Sequence, residues 1–213
     1  MNKKPLIVSL GIGGIYPKLL NRLKESCNKF KVECRLWNGY PPNARIHLQS
    51  PYGFKIHVIQ DAIREGYEVI IWADSACYIV KEPSPFFQMV KDKGILFLGH
   101  GDRLHPYVND KSLQLFGIKR EILKKHWMIS GSLFGFDFSH NRARKFFDEY
   151  KDYEKNDWFR EDEQKPGGDF LTHRHDEAII SLMLIKYKVD IPNAYDYFQG
   201  QGENVMFRAG KDI

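Results

Sequence analysis

Apolar and polar positions along this chain fall into blocks that switch repeatedly between two periods. "PLIVSLGI" (5–12) is a short continuous apolar run and predicts a buried strand. "PKLLNRLKESCNKF" (17–30) follows with Leu19, Leu20, Leu23 and Cys27 at helical spacing, and Pro17 suits a first turn. "VECRLW" (32–37) alternates like a strand, and "YPPNAR" (40–45) reads as a turn or loop. "GFKIHVIQDAIREG" (53–66) predicts a helix that Gly66 stops. "EVIIWADSACYIV" then carries a second buried run, Val69 to Trp72, and Asp74 follows one residue later.

The alternation continues to the end of the chain. "EPSPFFQMVKDKG" (82–94) predicts a helix opened by Pro-Ser-Pro and closed by Gly94, and "ILFLGHG" (95–101) another buried strand. "KSLQLFGIKREILKKH" (111–126) has helical spacing with a break near Gly117, and "WMISGSLFGFDFS" (127–139) alternates like a strand. "HNRARKFFDEYKDYEKN" (140–156) predicts an amphipathic helix, "DWFREDEQKPGGD" (157–169) a charged loop, and "HDEAIISLMLIKYKV" (175–189) a strongly apolar helix. "GQGENVMFRAGKDI" has little pattern. Strands alternating with helices predict one α/β domain, its mainly parallel central sheet flanked by helices. Ligands of such sheets bind beyond the carboxyl ends of the strands. Asp74 falls at such an end.

Composition narrows the class without naming a function. With 213 residues, 43% of them apolar, the chain can bury a sizeable core, so disorder is excluded. A net charge of +5, from 32 basic and 27 acidic residues, is mild and dispersed. It suits an anionic small ligand and predicts no nucleic-acid partner. Cys27, Cys34 and Cys77 lack metal-type spacing and fit a reducing compartment. The N-terminal apolar run is marginal for a signal peptide, lacks a small-residue cleavage site and reads better as a first core strand. No segment reaches the ~20 apolar residues of a membrane span. The expected location is cytoplasmic, and the ragged C-terminus points to further domains of a longer chain.

Three stretches carry candidate chemistry. In "LGIGGIY", Gly11, Gly13 and Gly14 allow a close backbone approach to a nucleotide, but Tyr16 stands where a dinucleotide fingerprint wants its third glycine. A tight strand-to-helix turn explains the same residues. Asp74 with Ser75 offers oxygen ligands to a hard cation that shares a diphosphate. Ala76 stands where a second carboxylate would complete the pattern, and on spacing alone the turn reading leads. In "THRHDEAII", Asp176 and Glu177 favour a helix N-terminus. Capping leaves His173 and His175 unexplained, and acid–base or sugar-binding roles stay open. "GHGDRLHPY" (99–107) is either a polar loop or a substrate loop.

Taken together these stretches resemble a glycosyltransferase family of the GT-A type. The residues that carry the resemblance are "YGFKIHVIQDAIREGYEVIIWADSACYI", "MISGSLFGF" and "HRHDEAIISLMLIKYKV", three ordered matches across most of residues 50–190. The resemblance implies a GT-A-like, Rossmann-like domain, with a nucleotide half over 1–100 and an acceptor half over 101–213. It implies a UDP-sugar donor, a glycan or glycoprotein acceptor (viral capsid glycan among them, in host cytoplasm if viral), and Mn2+ or Mg2+ as cofactor. Asp74 becomes the metal ligand of a DxD-like motif, with Ala73 and Ser75 beside it and Lys55 near the diphosphate. Leu10, Gly11, Ile12, Gly13, Gly14 and Tyr16 would hold uracil and ribose. Ser130 and Gly131 would edge the sugar pocket, with His173 and His175 around the sugar. Asp176, then Glu177, is the expected catalytic carboxylate. Two departures stand out: Ala76, and the lack of any histidine after His175 to join the metal.

Two other readings compete. A sugar-nucleotidyltransferase would show a longer, more basic glycine-rich loop than "LGIGGIYPK". A non-catalytic glycan-binding or assembly module would bind no UDP and would tolerate loss of Asp74.

Overall fold

The computed structural model describes residues 3–160, 163–200 and 204–211. Parts of the loop expected over 157–169 and of the C-terminal stretch therefore lie outside the described residues. The first half of the chain gives strand β1 (Leu6–Leu10), helix α1 (Tyr16–Lys29), β2 (Glu33–Trp37), α2 (Phe54–Arg64) and β3 (Val69–Ala73). Next come β4 (Cys77–Ile79), α3 (Ser84–Lys93) and β5 (Ile95–Arg103). Two short helices follow, α4 (Asp110–Phe116) and α5 (Arg120–Leu123), with Gly117 between them in the left-handed region at φ 62°. The chain continues as β6 (Trp127–Asp137), α6 (Asn141–Lys155), α7 (His175–Lys186), α8 (Ala194–Tyr197) and β7 (Phe207–Ala209).

Five strands form the central sheet in the order β2-β1-β3-β6-β5. β1 pairs in parallel with both β2 and β3, whereas β6 is antiparallel to β3 and to β5. Four strands thus run one way, and β6 is inserted against them. This is the expected α/β architecture, with β6 as its one reversed strand. The reversal follows from the excursion over 104–126, which carries the chain along the carboxyl edge before it re-enters the sheet. A small second sheet pairs β4 with β7, two strands the hydrophobic pattern did not announce. It ties the C-terminal stretch back beneath the end of β3.

Helices cover both faces. Ile56, Ile59 and Ala62 of α2, Phe146 and Tyr150 of α6, and Ile179 and Met183 of α7 pack on one face around Trp72, Phe97, Phe134 and Phe136. Leu23 and Cys27 of α1 and Phe86 and Val90 of α3 pack on the other. A third cluster joins α4 and α5 to Ala178 and Leu182, so α7 is apolar on nearly every side because it is enclosed on nearly every side. Burial of each such large side chain contributes about 1.5–3 kcal/mol.

The pairing of β5 with β6 is interrupted at one place that matters. Phe97 faces Phe134, yet the next residue, Leu98, faces Ser130. Residues 131–133 of β6 are therefore extra relative to β5, a bulge at the carboxyl edge beside Asp74. Bulges of this kind re-aim backbone and side chains next to functional sites.

Candidate active site at the carboxyl edge of the sheet

Lys55 is the second residue of α2 and lies on its buried stripe with Ile59 and Ala62. A helix that packs on a sheet has no use for an ammonium there unless a carboxylate meets it. Asp176 does so: Lys55 Nζ donates to Asp176 Oδ2 at 2.8 Å and to the Gly131 carbonyl at 3.0 Å. The two residues are 2% and 1% exposed, which makes this a buried ion pair. The ammonium also lies 4.8 Å from the centroid of the Tyr52 ring.

Glu177, one residue on, takes a different set of partners. Its Oε1 accepts from the Gly131 N–H at 2.8 Å, and its Oε2 accepts from Arg174 Nη2 at 3.0 Å. Neither acidic residue caps the first turn of α7, which has no side-chain cap. Both are turned instead to the bulge in β6. The Gly131 peptide is thus held from both sides, its N–H by Glu177 and its C=O by Lys55. A Cβ at this position would lie 2.9 Å from Lys55 Nζ and 3.1 Å from Glu177 Cγ, so only glycine lets the three meet.

Asp74 stands at the end of β3, where its N–H donates to the Ser132 carbonyl at 2.8 Å. Its Oδ1 accepts from the indole Nε1 of Trp72 at 2.8 Å. The two histidines at the start of α7, His173 just before it and His175 its first residue, are fixed by backbone carbonyls of the turn after α6. His175 Nδ1 lies 2.9 Å from the Phe159 oxygen, and His173 Nε2 lies 3.3 Å from the Trp158 oxygen. His175 holds φ at +48°, the left-handed region that a side chain with a Cβ adopts rarely.

These groups enclose a cavity of about 330 Å³ lined by Lys55, Asp74, Gly131, His173, His175, Asp176 and Glu177, with Tyr52, Ser132, Thr172 and Arg174 completing the wall. A second cavity, of about 550 Å³, adjoins it and shares Tyr52, Asp74 and Ser132. Its other walls are aromatic and apolar: Tyr16, Tyr40, Phe54 and Trp72, with Leu10 and Ile12. Ser75, Ala76, His47 and Lys211 complete its lining. A groove at the opposite edge of the sheet, about 460 Å³ around Arg64, Tyr67 and Phe147, gathers no comparable set of groups.

Several residues singled out in the sequence line neither cavity. Gly13 and Gly14, at φ +73° and +49°, turn the chain into α1. Gly11 packs against its own loop, where a Cβ would lie 2.7 Å from the Tyr16 carbonyl. Ala73 faces the opposite layer with Leu133 and Cys77, and the buried Ser130 accepts from the Ser132 N–H at 3.4 Å. Tyr52, Arg174, Ser132 and Trp72 are among the wall residues that the sequence left unmarked. Arg174 stood inside the "HRHDE" run, and its pairing with Glu177 three residues on was the available signal. Tyr52, at φ +62°, gave none.

Electrostatics follow from an excess of carboxylate. Asp74, Asp176 and Glu177 face two permanent cations, Lys55 and Arg174. Burial pulls the Lys55 ammonium down, but Asp176 and Asp74 outweigh it and hold the lysine above its ordinary range. Burial raises the Asp176 carboxyl, the lysine opposes the rise, and Glu177 and Asp74 add to it. Burial together with Asp176 likewise pushes the Tyr52 phenol up. With each cation already matched to a carboxylate, Asp74 is the one acid of the cavity without an ion pair among the described residues. That is the donor set expected of a cation shared with a ligand's phosphates. Protein ligands alone would be few: among the described residues no three His, Cys, Asp or Glu side chains gather as a metal cage.

The fold is GT-A-like: a helix-flanked α/β sheet with its site beyond the strand ends. Among solved structures the chain is similar to that described as "crystal structure of a glycosyltransferase involved in the glycosylation of the major capsid of PBCV-1". The likeness has a TM-score of 0.55 at 12% identity and covers 96% of this chain and 93% of that one. It shows a shared fold over nearly the full length. No protein-family model matches the chain, and no curated protein matches it. Among the described residues no helix is long and apolar enough to cross a membrane.

Proposed function

We propose that this chain is a nucleotide-sugar-dependent glycosyltransferase, moving a hexose or deoxyhexose from a UDP-sugar to a glycan or glycoprotein acceptor. The observation that carries the reading is the meeting of two unlike cavities at Asp74, in a fold shared with a glycosyltransferase. An aromatic cavity suits a base and ribose, since rings stack on nucleobases for about 1–3 kcal/mol each. The polar cavity, rimmed by donors and acceptors, suits the hydroxyls of one sugar. A diphosphate would lie between them, at the one carboxylate with no cation of its own.

Mn2+ or Mg2+ fits that position. Asp74 would hold it from the protein side, while the diphosphate and water supply the remaining oxygens, because Ala76 brings no second acidic arm. Bound there, the ion would supply Lewis acidity toward the charge growing on the departing UDP. The chain's own groups do the rest. Trp72 orients the Asp74 carboxylate, and Leu10, Ile12 and Tyr16 border the nucleoside. Lys55 adds positive potential near the leaving group. Asp176, paired with Lys55 through Oδ2, sets that ammonium in place, and Glu177 and Arg174 border the sugar. The halves 1–100 and 101–213 divide as nucleotide and acceptor sides around one sheet. The neighbouring structure's printed role on a viral major capsid supports a capsid glycan as acceptor.

Calorimetry tests the reading. UDP is titrated with and without Mn2+ into the wild type and Asp74→Ala. Micromolar, metal-dependent binding that the variant loses is the expected result. If neither protein binds UDP, the transferase reading gives way to a non-catalytic glycan-binding module.

A further inference from the structure

We propose that His175 is a catalytic residue of this site, the group that takes the proton from the acceptor hydroxyl through Nε2. The inference rests on the glycosyl-transfer reading above and goes beyond it by assigning the base. Two carboxylates of the cavity are each already paired with a cation: Asp176 with Lys55, and Glu177 with Arg174 on one oxygen and the Gly131 N–H on the other. Asp74, bonded to the Trp72 indole through Oδ1, is the group assigned above to the metal ion and the diphosphate. A carboxylate that balances a cation at hydrogen-bond distance is a poor proton acceptor.

His175 is arranged in the opposite way. A carbonyl can only accept, so the 2.9 Å contact with the Phe159 oxygen places the ring proton on Nδ1. In the form of the ring that carries one proton, the lone pair is then on Nε2, on the side of the ring away from that carbonyl. Nε2 has no hydrogen-bond partner among the described residues, and the residue lines the polar cavity. A backbone held at φ +48° indicates that the surroundings over-determine this placement, as strained residues at functional sites do. The charged and titratable groups that line the cavity with it or border its ring are Lys55, Asp74, Asp176, Arg174, Glu177, His173, Tyr52 and His47.

The step balances simply. The acceptor oxygen forms its bond to the anomeric carbon, and the bond from that carbon to the β-phosphate oxygen breaks. The leaving electron pair departs with UDP, and the acceptor's proton moves to Nε2. The imidazolium that results returns the proton to solvent after product release.

The test follows UDP release from a set of UDP-sugars (glucose, galactose, N-acetylglucosamine, xylose), with water or simple sugars as acceptor, in wild type, His175→Gly and His175→Asn. Glycine and asparagine both accept a positive φ, so the fold survives, and a melting curve confirms it. Wild-type UDP affinity in both variants, with turnover slowed about 10²- to 10⁴-fold, is the expected result. Imidazole added to His175→Gly restores turnover, and substituted imidazoles restore it in order of their basicity, which mere filling of space would not do. Full turnover in the variants, or a loss that imidazoles restore without regard to basicity, overturns the assignment and leaves the transferase reading intact. A wild type that binds UDP in no condition and releases none brings down the reading, and the assignment with it.

Discussion

Lys55 and Asp176 form a buried ion pair, Nζ to Oδ2 at 2.8 Å, between the first turn of α2 and the first turn of α7. It joins two helices 121 residues apart in sequence, and through the Gly131 carbonyl it fixes the bulge between them. Breaking one half leaves an uncompensated charge in the core. Lys55→Met or Asp176→Leu should each destabilise by about 3–5 kcal/mol, whereas the double substitution should recover most of that loss. Denaturant midpoints of the four proteins measure the coupling. If the single losses simply add in the double variant, the pair has no energetic reality.

The same pair makes stability depend on alkaline pH. The folded protein holds the Lys55 proton above the ordinary lysine value of 10.5. Above pH 10.5 the unfolded chain therefore binds fewer protons than the folded one, and stability falls as pH rises. Tyr150, buried and pushed up by that burial and by Asp176, adds to the fall in the same direction from its ordinary value of 10.0. Unfolding midpoints measured from pH 9 upward should decline, and the decline should be shallower in the Lys55→Met/Asp176→Leu double variant.

Much of this was legible in the pattern, and the reasons differ by residue. β1, α1, β2, α2, β3, α3, β5, α6 and α7 follow from local periodicity, and Gly117 marked the break between α4 and α5 because a left-handed turn needs it. The reversal of β6 was not legible, since period-2 alternation is the same in either direction. The β4–β7 pair escaped because each strand is three residues long and its partner lies far along the chain. At the site, Asp74 was visible as a carboxylate ending an apolar run, whereas Lys55 was marked only by the family resemblance. What holds His173 and His175 was invisible: the carbonyls of Trp158 and Phe159 have no side-chain signature.

The loop between β2 and α2 carries Tyr40, His47 and Tyr52 into the aromatic cavity, and one arginine anchors it. Arg45 Nε donates to Glu154 Oε1 at 2.8 Å, and its Nη groups reach Asp157 and the Glu154 carbonyl. Glu154 is 6% exposed, so Arg45→Ala strands a nearly buried carboxylate. Arg45 itself is partly exposed, which limits the cost to about 2 kcal/mol. Loosening the loop should weaken UDP binding by about tenfold, or 1.4 kcal/mol. Calorimetry on Arg45→Ala and Arg45→Lys checks this; unaltered affinity in both would detach the loop from nucleotide binding.

Gly131 and Gly135 sit on the same strand and separate function from packing. At Gly135 a new Cβ would meet Val90 Cγ2 at 2.6 Å in the core between β6 and α3. Gly135→Ala should therefore lower stability by about 1–3 kcal/mol through overpacking and leave turnover per folded molecule unaltered. At Gly131 the new methyl would enter the polar cavity and press on the Lys55 ammonium and the Glu177 side chain. Neither can retreat without breaking the hydrogen bonds that hold the Gly131 peptide itself. Gly131→Ala should thus abolish UDP-sugar turnover at a stability loss no greater than that of Gly135→Ala. Thermal midpoints and UDP release measured on both variants decide it, and a Gly131→Ala protein that turns over normally would place the sugar elsewhere.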